Sequence, residues 1–185
     1  GQTDVFVRDL SSNTTVRVSI TSTGGQTDGF SGQACISGDG SYVAFRSYAA
    51  NLAPPGAPAG VPQAYVHDLV AHTVVCASVS SSGQPADRLV NNHPALSADG
   101  RYVVFNTAAT NLVSGATING YNVFVRDLVL GTTWCPTDWS GGWSFNGTGG
   151  NVSIDANGLT IAFDSLGTNL VSGDTNGVQD VFVVQ

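Results

Sequence analysis

At 185 residues the chain is long enough for one domain with a sizeable core, and it is 42% hydrophobic and only 10% charged. Its net charge is −7 and its six cations are all Arg, too few to cluster against a phosphate backbone, which argues against nucleic acid or an anionic membrane as partner. No run of about 18 apolar residues is present to span a membrane as a helix, and many Ser, Thr, Asn, Gly and Val residues with no Met suit an all-β secreted protein.

Residue 1 is Gly and no basic-then-apolar leader follows it, so the expectation is a mature, processed or excised chain. The first predicted strand is DVFVRDL at 4–10. It returns as QAYVHDL at 63–69, NVFVRDL at 122–128 and DVFVVQ at 180–185, at steps of 59, 59 and 58 residues. A fixed period of this size marks an array of units, none of which buries its own faces alone. After a polar turn comes a β-branched strand: TTVRVSIT at 14–21, TVVCASVS at 73–80 and TTWCP at 132–136.

The next pair of strands is joined by a turn, in CISGDGSYVAF at 35–45, ALSADGRYVVF at 95–105 and SIDANGLTIAF at 153–163. Asp39-Gly40, Asp99-Gly100 and Asn157-Gly158 supply the positive φ angles expected of a tight hairpin. Phe45, Phe105 and Phe163 hold one register, as core anchors between stacked units would. A loop opened by Asn51-Leu52, Asn111-Leu112 or Asn169-Leu170 leads back to the VFVRDL strand. The Asn is expected to hold a turn through its own backbone, and the Leu to plug the loop onto the core.

Four short strands per repeat, with no helical period of useful length, predict an all-β fold of β-propeller blades, each of four antiparallel strands. The chain reads as one repeat array over 1–185, with blade parts 1–21, 33–80, 93–137 and 150–185. The residues S-x-D-G-x-Y-V-x-F followed by D-V-F-V-R-D-L resemble the TolB-type propeller repeat of bacteria. That resemblance covers nearly the whole chain. It implies a secreted or periplasmic propeller serving as a binding or scaffolding module, and no one activity, since propellers host many. It also orders the strands: the chain enters at the third and outer strands of a blade, runs through two complete blades, and closes on the first three strands of another. About three blades are too few for a ring, which takes about four to eight. The array is then a partial propeller or a subunit of an oligomeric one, in which end strands pair between copies because a free sheet edge invites pairing.

The last repeat carries SGDTNGVQDVF at 172–182. Asp174, Asn176 and Asp180 fall at positions 1, 3 and 7 of a D-x-N-G-x-x-D loop, with the Val178 carbonyl at position 5. Hard cations such as Ca²⁺ take oxygens from spacing of this kind. The other reading is structural, with Asx turns at Asp174 and Asn176 and Asp180 capping the strand. The aligned stretches at 115–122 and 56–63 lack the ligands, whereas GQTD at 1–4 matches GVQD at 177–180 and makes Asp4 a candidate half-loop. The chain departs from its own period at 135–151, where Trp139, Trp143 and Phe145 lie in a Gly/Ser/Asn segment. They are read either as packing or self-association, or as a carbohydrate or peptide platform.

Enzyme signatures are absent from the sequence. His67, His72 and His93 have no paired spacing, GFSGQ at 29–33 lacks the second Gly of a nucleophile elbow, and the repeat-locked Asp9, Asp68 and Asp127 read as backbone or Arg partners. Cys76 and Cys135 occupy one repeat position, too far apart to bridge, and no C-x-x-C spacing points to zinc. All three cysteines, Cys35 included, read as small buried apolar residues. Asn13, Asn146 and Asn151 stand in formal N-glycosylation sequons. The expectation is a secreted module for protein interaction or self-assembly, stabilised by calcium in one version. The alternatives are a lectin-like propeller and a hydrolase or lyase on the same scaffold.

Overall fold

The computed structural model of the chain describes residues 1–115, 120–136 and 150–185. Strands β1 (Phe6–Asp9) and β2 (Thr14–Arg17) form a two-stranded hairpin. Strands β3 (Ser31–Ile36), β4 (Tyr42–Ser47), β5 (Gln63–Asp68) and β6 (Thr73–Cys76) form a four-stranded sheet in that spatial order. A second such sheet is built by β7 (Val90–Leu96), β8 (Tyr102–Thr107), β9 (Asn122–Asp127) and β10 (Thr132–Trp134). Strands β11 (Val152–Ile154), β12 (Ile161–Ser165) and β13 (Asp180–Val184) make a three-stranded sheet. Each pairing is antiparallel, and these sheets are the blades that the repeat predicts.

The anchor aromatics do what their register implies. Phe45 pairs across the sheet with Tyr65, Phe105 with Phe124 and Phe163 with Phe182. Their rings stack at 5.8, 6.0 and 5.7 Å between centroids, a separation at which aromatic pairs attract beyond simple burial. Apolar clusters then fill the spaces between sheets. Val5, Val18, Val43, Phe45 and Tyr65 join the first hairpin to the β3–β6 sheet, and Val104, Val123, Ile161 and Phe163 join the β7–β10 sheet to the last. Between the two complete blades lie Val66, Val90, Phe105, Phe124 and Leu112.

The Gly turns differ from the expected form. Only Gly40, Gly100 and Gly158 have positive φ (76°, 70° and 78°), and the residue before each does not. Each Gly amide closes a turn, on the carbonyl of Ser37 (3.0 Å), Ser97 (3.0 Å) or Asp155 (3.2 Å). The Asp39 carboxylate accepts from Ser37 Oγ at 2.6 Å and Ser41 N at 2.9 Å, and Asp99 accepts from Ser97 Oγ and Arg101 N. The Asp is therefore selected as a hydrogen-bond acceptor that ties the turn together, not for left-handed backbone. Successive turns are stitched across blades, with Asp39 N donating to Ala98 O (3.2 Å) and Ala98 N to Ala156 O (3.1 Å). Tyr42 lies on Gly100 of the following blade and Tyr102 on Gly158, so close that a Cβ on either glycine would overlap the ring.

Candidate functional site at the loop end

Connections β2–β3 and β6–β7 meet connections β4–β5 and β8–β9 at one end of the strands. Asn51 Nδ2 donates to Gln26 O (2.9 Å), while Asp28 N donates to Asn51 Oδ1 (3.2 Å). Asn111 repeats the clamp one blade on, donating to Pro85 O (2.7 Å) and accepting from Asp87 N (3.1 Å). The expected local turn is thus replaced by a bridge of more than 20 residues in sequence. Loop carbonyls and amides outside the ladder need partners, and an Asn amide supplies both a donor and an acceptor. Leu52, Leu112 and Leu170 pack onto the cores, as expected. These clamps make the loop end a firm platform on which repeat-specific residues can differ.

The Asp174–Asp180 loop opens on a cleft of about 430 Å³ lined by Asp174, Asn176 and Asp180. Asn176 Nδ2 donates to Asp180 Oδ2 at 3.0 Å, and Val178 N donates to Asn176 Oδ1 at 3.0 Å. The second contact is an Asx turn, the structural reading of the motif. Asp174 Oδ1 is buried and has no hydrogen-bond partner. Three oxygen-bearing side chains face one cleft, but no group of three or more Asp, His or Cys side chains gathers for a metal among the described residues. Holding a cation here would require Asn176 to release Val178 N and turn its oxygen inward, with backbone oxygens completing the shell. Asp4, the candidate half-loop, is engaged by other groups. Its carboxylate accepts from Ser19 Oγ (2.9 Å) and pairs with Arg17 (3.4 Å), because the chain after β2 folds over it. Trp139, Trp143 and Phe145 lie outside the described residues.

A cluster missed in the sequence sits at the same end of the first complete blade. Arg46 Nη2 donates to Tyr48 OH (2.8 Å) and Nη1 to Gln33 Oε1 (3.1 Å), and the guanidinium lies 4.8 Å from the Tyr48 ring centre. Phe30 meets Tyr48 edge to face at 6.1 Å. Both rings are partly exposed, at 36% and 43%. A planar cation held against exposed aromatics can recognise a carboxylate or stack on a planar ligand group. The signal was present: the residue after each anchor Phe is Arg46, Asn106 or Asp164, so the scaffold repeats while this position changes charge.

The repeat-locked carboxylates tie turns. Asp68 Oδ1 accepts from Val70 N and Ala71 N, Asp127 Oδ1 from Val129 N and Leu130 N, and Asp9 from the Ser11 and Ser12 amides and hydroxyls. Asp127 also pairs with Arg101 at 2.7 Å, which holds its carboxyl below the usual range. His67 is buried, with Nδ1 2.8 Å from Val18 O of the preceding hairpin. His72 takes a left-handed turn position (φ 54°), one that Asn13 and Gly131 hold in the other repeats. All three cysteines are free. Cys135 is buried, and Cys35 and Cys76 are half-buried, which corrects the expectation of full burial for those two. Burial pushes both of their thiols up to about 11, so they stay protonated and weakly nucleophilic at neutral pH.

Among solved structures the chain is similar to TolB from Acinetobacter baumannii, at a TM-score of 0.55 and 19% identity over 97% of this chain and 34% of that one. It is similar to a prolyl endopeptidase (TM-score 0.57, 14% identity, 98% of this chain and 24% of that chain). A third likeness is to an oligogalacturonate lyase in complex with manganese (TM-score 0.52, 13% identity, 100% and 41%). The chain spans less than half the length of each. No protein-family model matches the chain, and no curated protein matches it. The likenesses show the fold, which is that of TolB-type propeller blades.

Proposed function

We propose that this chain is a secreted or periplasmic propeller module for protein–protein interaction, which works by completing blades with copies of itself or with the rest of a longer propeller. The observation that carries the reading is the state of its outer sheets. β1 and β13 each pair on one edge only among the described residues, and their surroundings keep apolar side chains exposed: Phe6 (57%), Val181 (75%) and Val183 (60%). Unpaired edges beside exposed apolar faces are costly unless something covers them. In this reading the chain is not itself a catalyst, and calcium, where bound by Asp174, Asn176, the Val178 carbonyl and Asp180, stiffens a loop. Native mass spectrometry tests it: assemblies of two or more copies are expected, and a stable protease-resistant monomer of 18.9 kDa overturns the self-assembly version.

A lectin-like role is the second reading, favoured by the exposed Arg46–Tyr48–Phe30 cluster and by the sequence of Trp139, Trp143 and Phe145. A glycan array probed with and without calcium tests it, and an empty array in both conditions removes it.

A further inference from the structure

At the loop end of the first complete blade, Arg46 is held as a cation without a counter-charge. Nη1 donates to Gln33 Oε1 (3.1 Å) and Nη2 to Tyr48 OH (2.8 Å), both neutral acceptors. Nε is buried and has no hydrogen-bond partner, so the guanidinium is under-satisfied. Arg17 and Arg101 each pair with an Asp, whereas Arg46 makes no ion pair among the described residues, in a chain of net charge −7. A guanidinium fixed in this way is preorganised for a planar oxyanion.

The surroundings supply more than the charge. Gly32 stands opposite Arg46 across the β3–β4 pair, and the Phe30 ring lies on it, so close that a Cβ there would come within 2.8 Å of Phe30 Cζ. Phe30 is thereby seated beside Arg46, edge to face with Tyr48, and both rings stay partly exposed. Gln33 lies in the bulge between Gly32 and Cys35 at a left-handed φ of 52°. Bulges re-aim side chains, and left-handed backbone at a non-Gly residue recurs at ligand clamps. Because Arg46 only donates, the Gln33 carbonyl must face it, which turns the Gln33 Nε2 amide away to donate elsewhere. The next blade keeps the scaffold, with its own bulge at Asn92 (φ 55°), but has Leu89, Asn106 and Ala108 in place of Phe30, Arg46 and Tyr48. A blade therefore folds without the cluster. Arg46 shares its strand face with Ala44, which packs in the core between the two complete blades. The cluster thus sits at the junction of those blades, away from either end of the chain.

We infer that Arg46, Gln33, Tyr48 and Phe30 form a binding site for an acidic sugar. The carboxylate of a uronic-acid ring accepts from the Arg46 Nη hydrogens that Gln33 and Tyr48 leave unused. The C–H face of that ring lies on the exposed aromatic surface, and a ring hydroxyl accepts from Gln33 Nε2. A simple carboxylate would use only the cation, and a neutral sugar only the rings and the amide. A hydroxylated ring bearing a carboxylate uses them all. The inference names the ligand class of the lectin-like reading given above and rests on it.

The probe is a fluorescein-labelled oligosaccharide of glucuronate and N-acetylglucosamine, titrated with the full chain and followed by anisotropy, beside the same oligosaccharide with its carboxylates methyl-esterified. Saturable binding of the acid form is expected, about tenfold or more tighter than that of the ester. Arg46→Gln is expected to remove that preference and leave the two forms equal. Tyr48→Ala, at an exposed position, is expected to weaken both forms while melting like the parent, and Tyr48→Phe to restore most of the loss. Gln33→Asn, better suited to left-handed backbone, is expected to melt no lower than the parent and to bind more weakly. Equal binding of acid and ester by the parent, or a preference that survives in Arg46→Gln, overturns the inference and leaves a lectin-like role standing. So does an array on which neutral glycans bind and uronate-bearing ones do not, whereas an empty array removes both. A polyglutamate peptide that binds as tightly as the acid form overturns the sugar assignment and gives the cluster to a protein partner.

Discussion

Tyr42 on Gly100 and Tyr102 on Gly158 show how one atom decides the spacing of blades. Gly40 and Gly100 share a turn and a left-handed φ, but only Gly100 lies beneath a ring. Alanine at position 40 is therefore expected to cost about 1 kcal/mol, for backbone strain alone. Gly100→Ala should cost about 1–3 kcal/mol more, for overlap with Tyr42. Paired denaturant melts check this, and equal losses would remove the ring-on-glycine contact as a determinant of packing. The turn carboxylates make a second prediction at this scale. Asp39, Asp99, Asp127 and Asp155 lie below the ordinary 3.8, held there chiefly by Ser37, Ser97, Arg101 and the Thr160 amide respectively. Groups with folded-state values below their unfolded ones stabilise fully above the unfolded value, and lose that contribution as pH falls through the folded one. The melting temperature should hold from about pH 7 down to about pH 5 and drop by about pH 3. Asp127→Asn should flatten part of that drop. A melt unchanged at about pH 3 would contradict the assignment of these carboxylates to the folded state's hydrogen bonds.

At the level of elements, the same strand has different fates in different blades. The third strand is buried along β5 and β9, but β13 alternates with exposed positions and β1 is exposed at all but Val7, because each has one face or edge uncovered. The β12–β13 connection shows how a loop can serve two ends. Asn176 now holds Val178 N and Asp180, while Asp174 Oδ1 is left without a partner. A cation in this loop would satisfy Asp174 and anchor the start of β13. Chelation is then expected to lower the melting temperature of the parent and leave Asp180→Ala unmoved, as followed by calorimetry. No response to chelator in the parent would assign the motif to its Asx turn. The period made the strands, the anchor Phe residues and the Leu plugs legible, because each depends on local pattern and a repeated register. It hid the Asn51 and Asn111 clamps, because their partners lie more than 20 residues away, and although Asp28 and Asp87 repeat at the same period, nothing local shows that the two loops meet.

Across the whole molecule, the two complete blades are each packed on both faces, and the first hairpin and last sheet on one. Hydrogen exchange should therefore be slowest in β4, β5, β8 and β9 and faster in β1, β2 and β13, since opening free energy follows buried contacts. Uniform protection across all sheets would mean that the ends are covered, by copies or by a partner. The stacking of units and the turn positions followed from the 58- and 59-residue spacing, because a repeat that cannot bury its own faces can only stack, whereas the strand order came from the resemblance to TolB-type blades. The Trp139–Phe145 segment was conspicuous in sequence and lies outside the described residues. The Arg46–Tyr48–Phe30 cluster was quieter and emerged only when β3, β4 and their loops came together. Gly100 and Gly158 are covered by a ring of the preceding blade, and Asp127 meets Arg101 from the strand beside it in its own blade; no local pattern encodes either contact, because each partner lies far away along the chain.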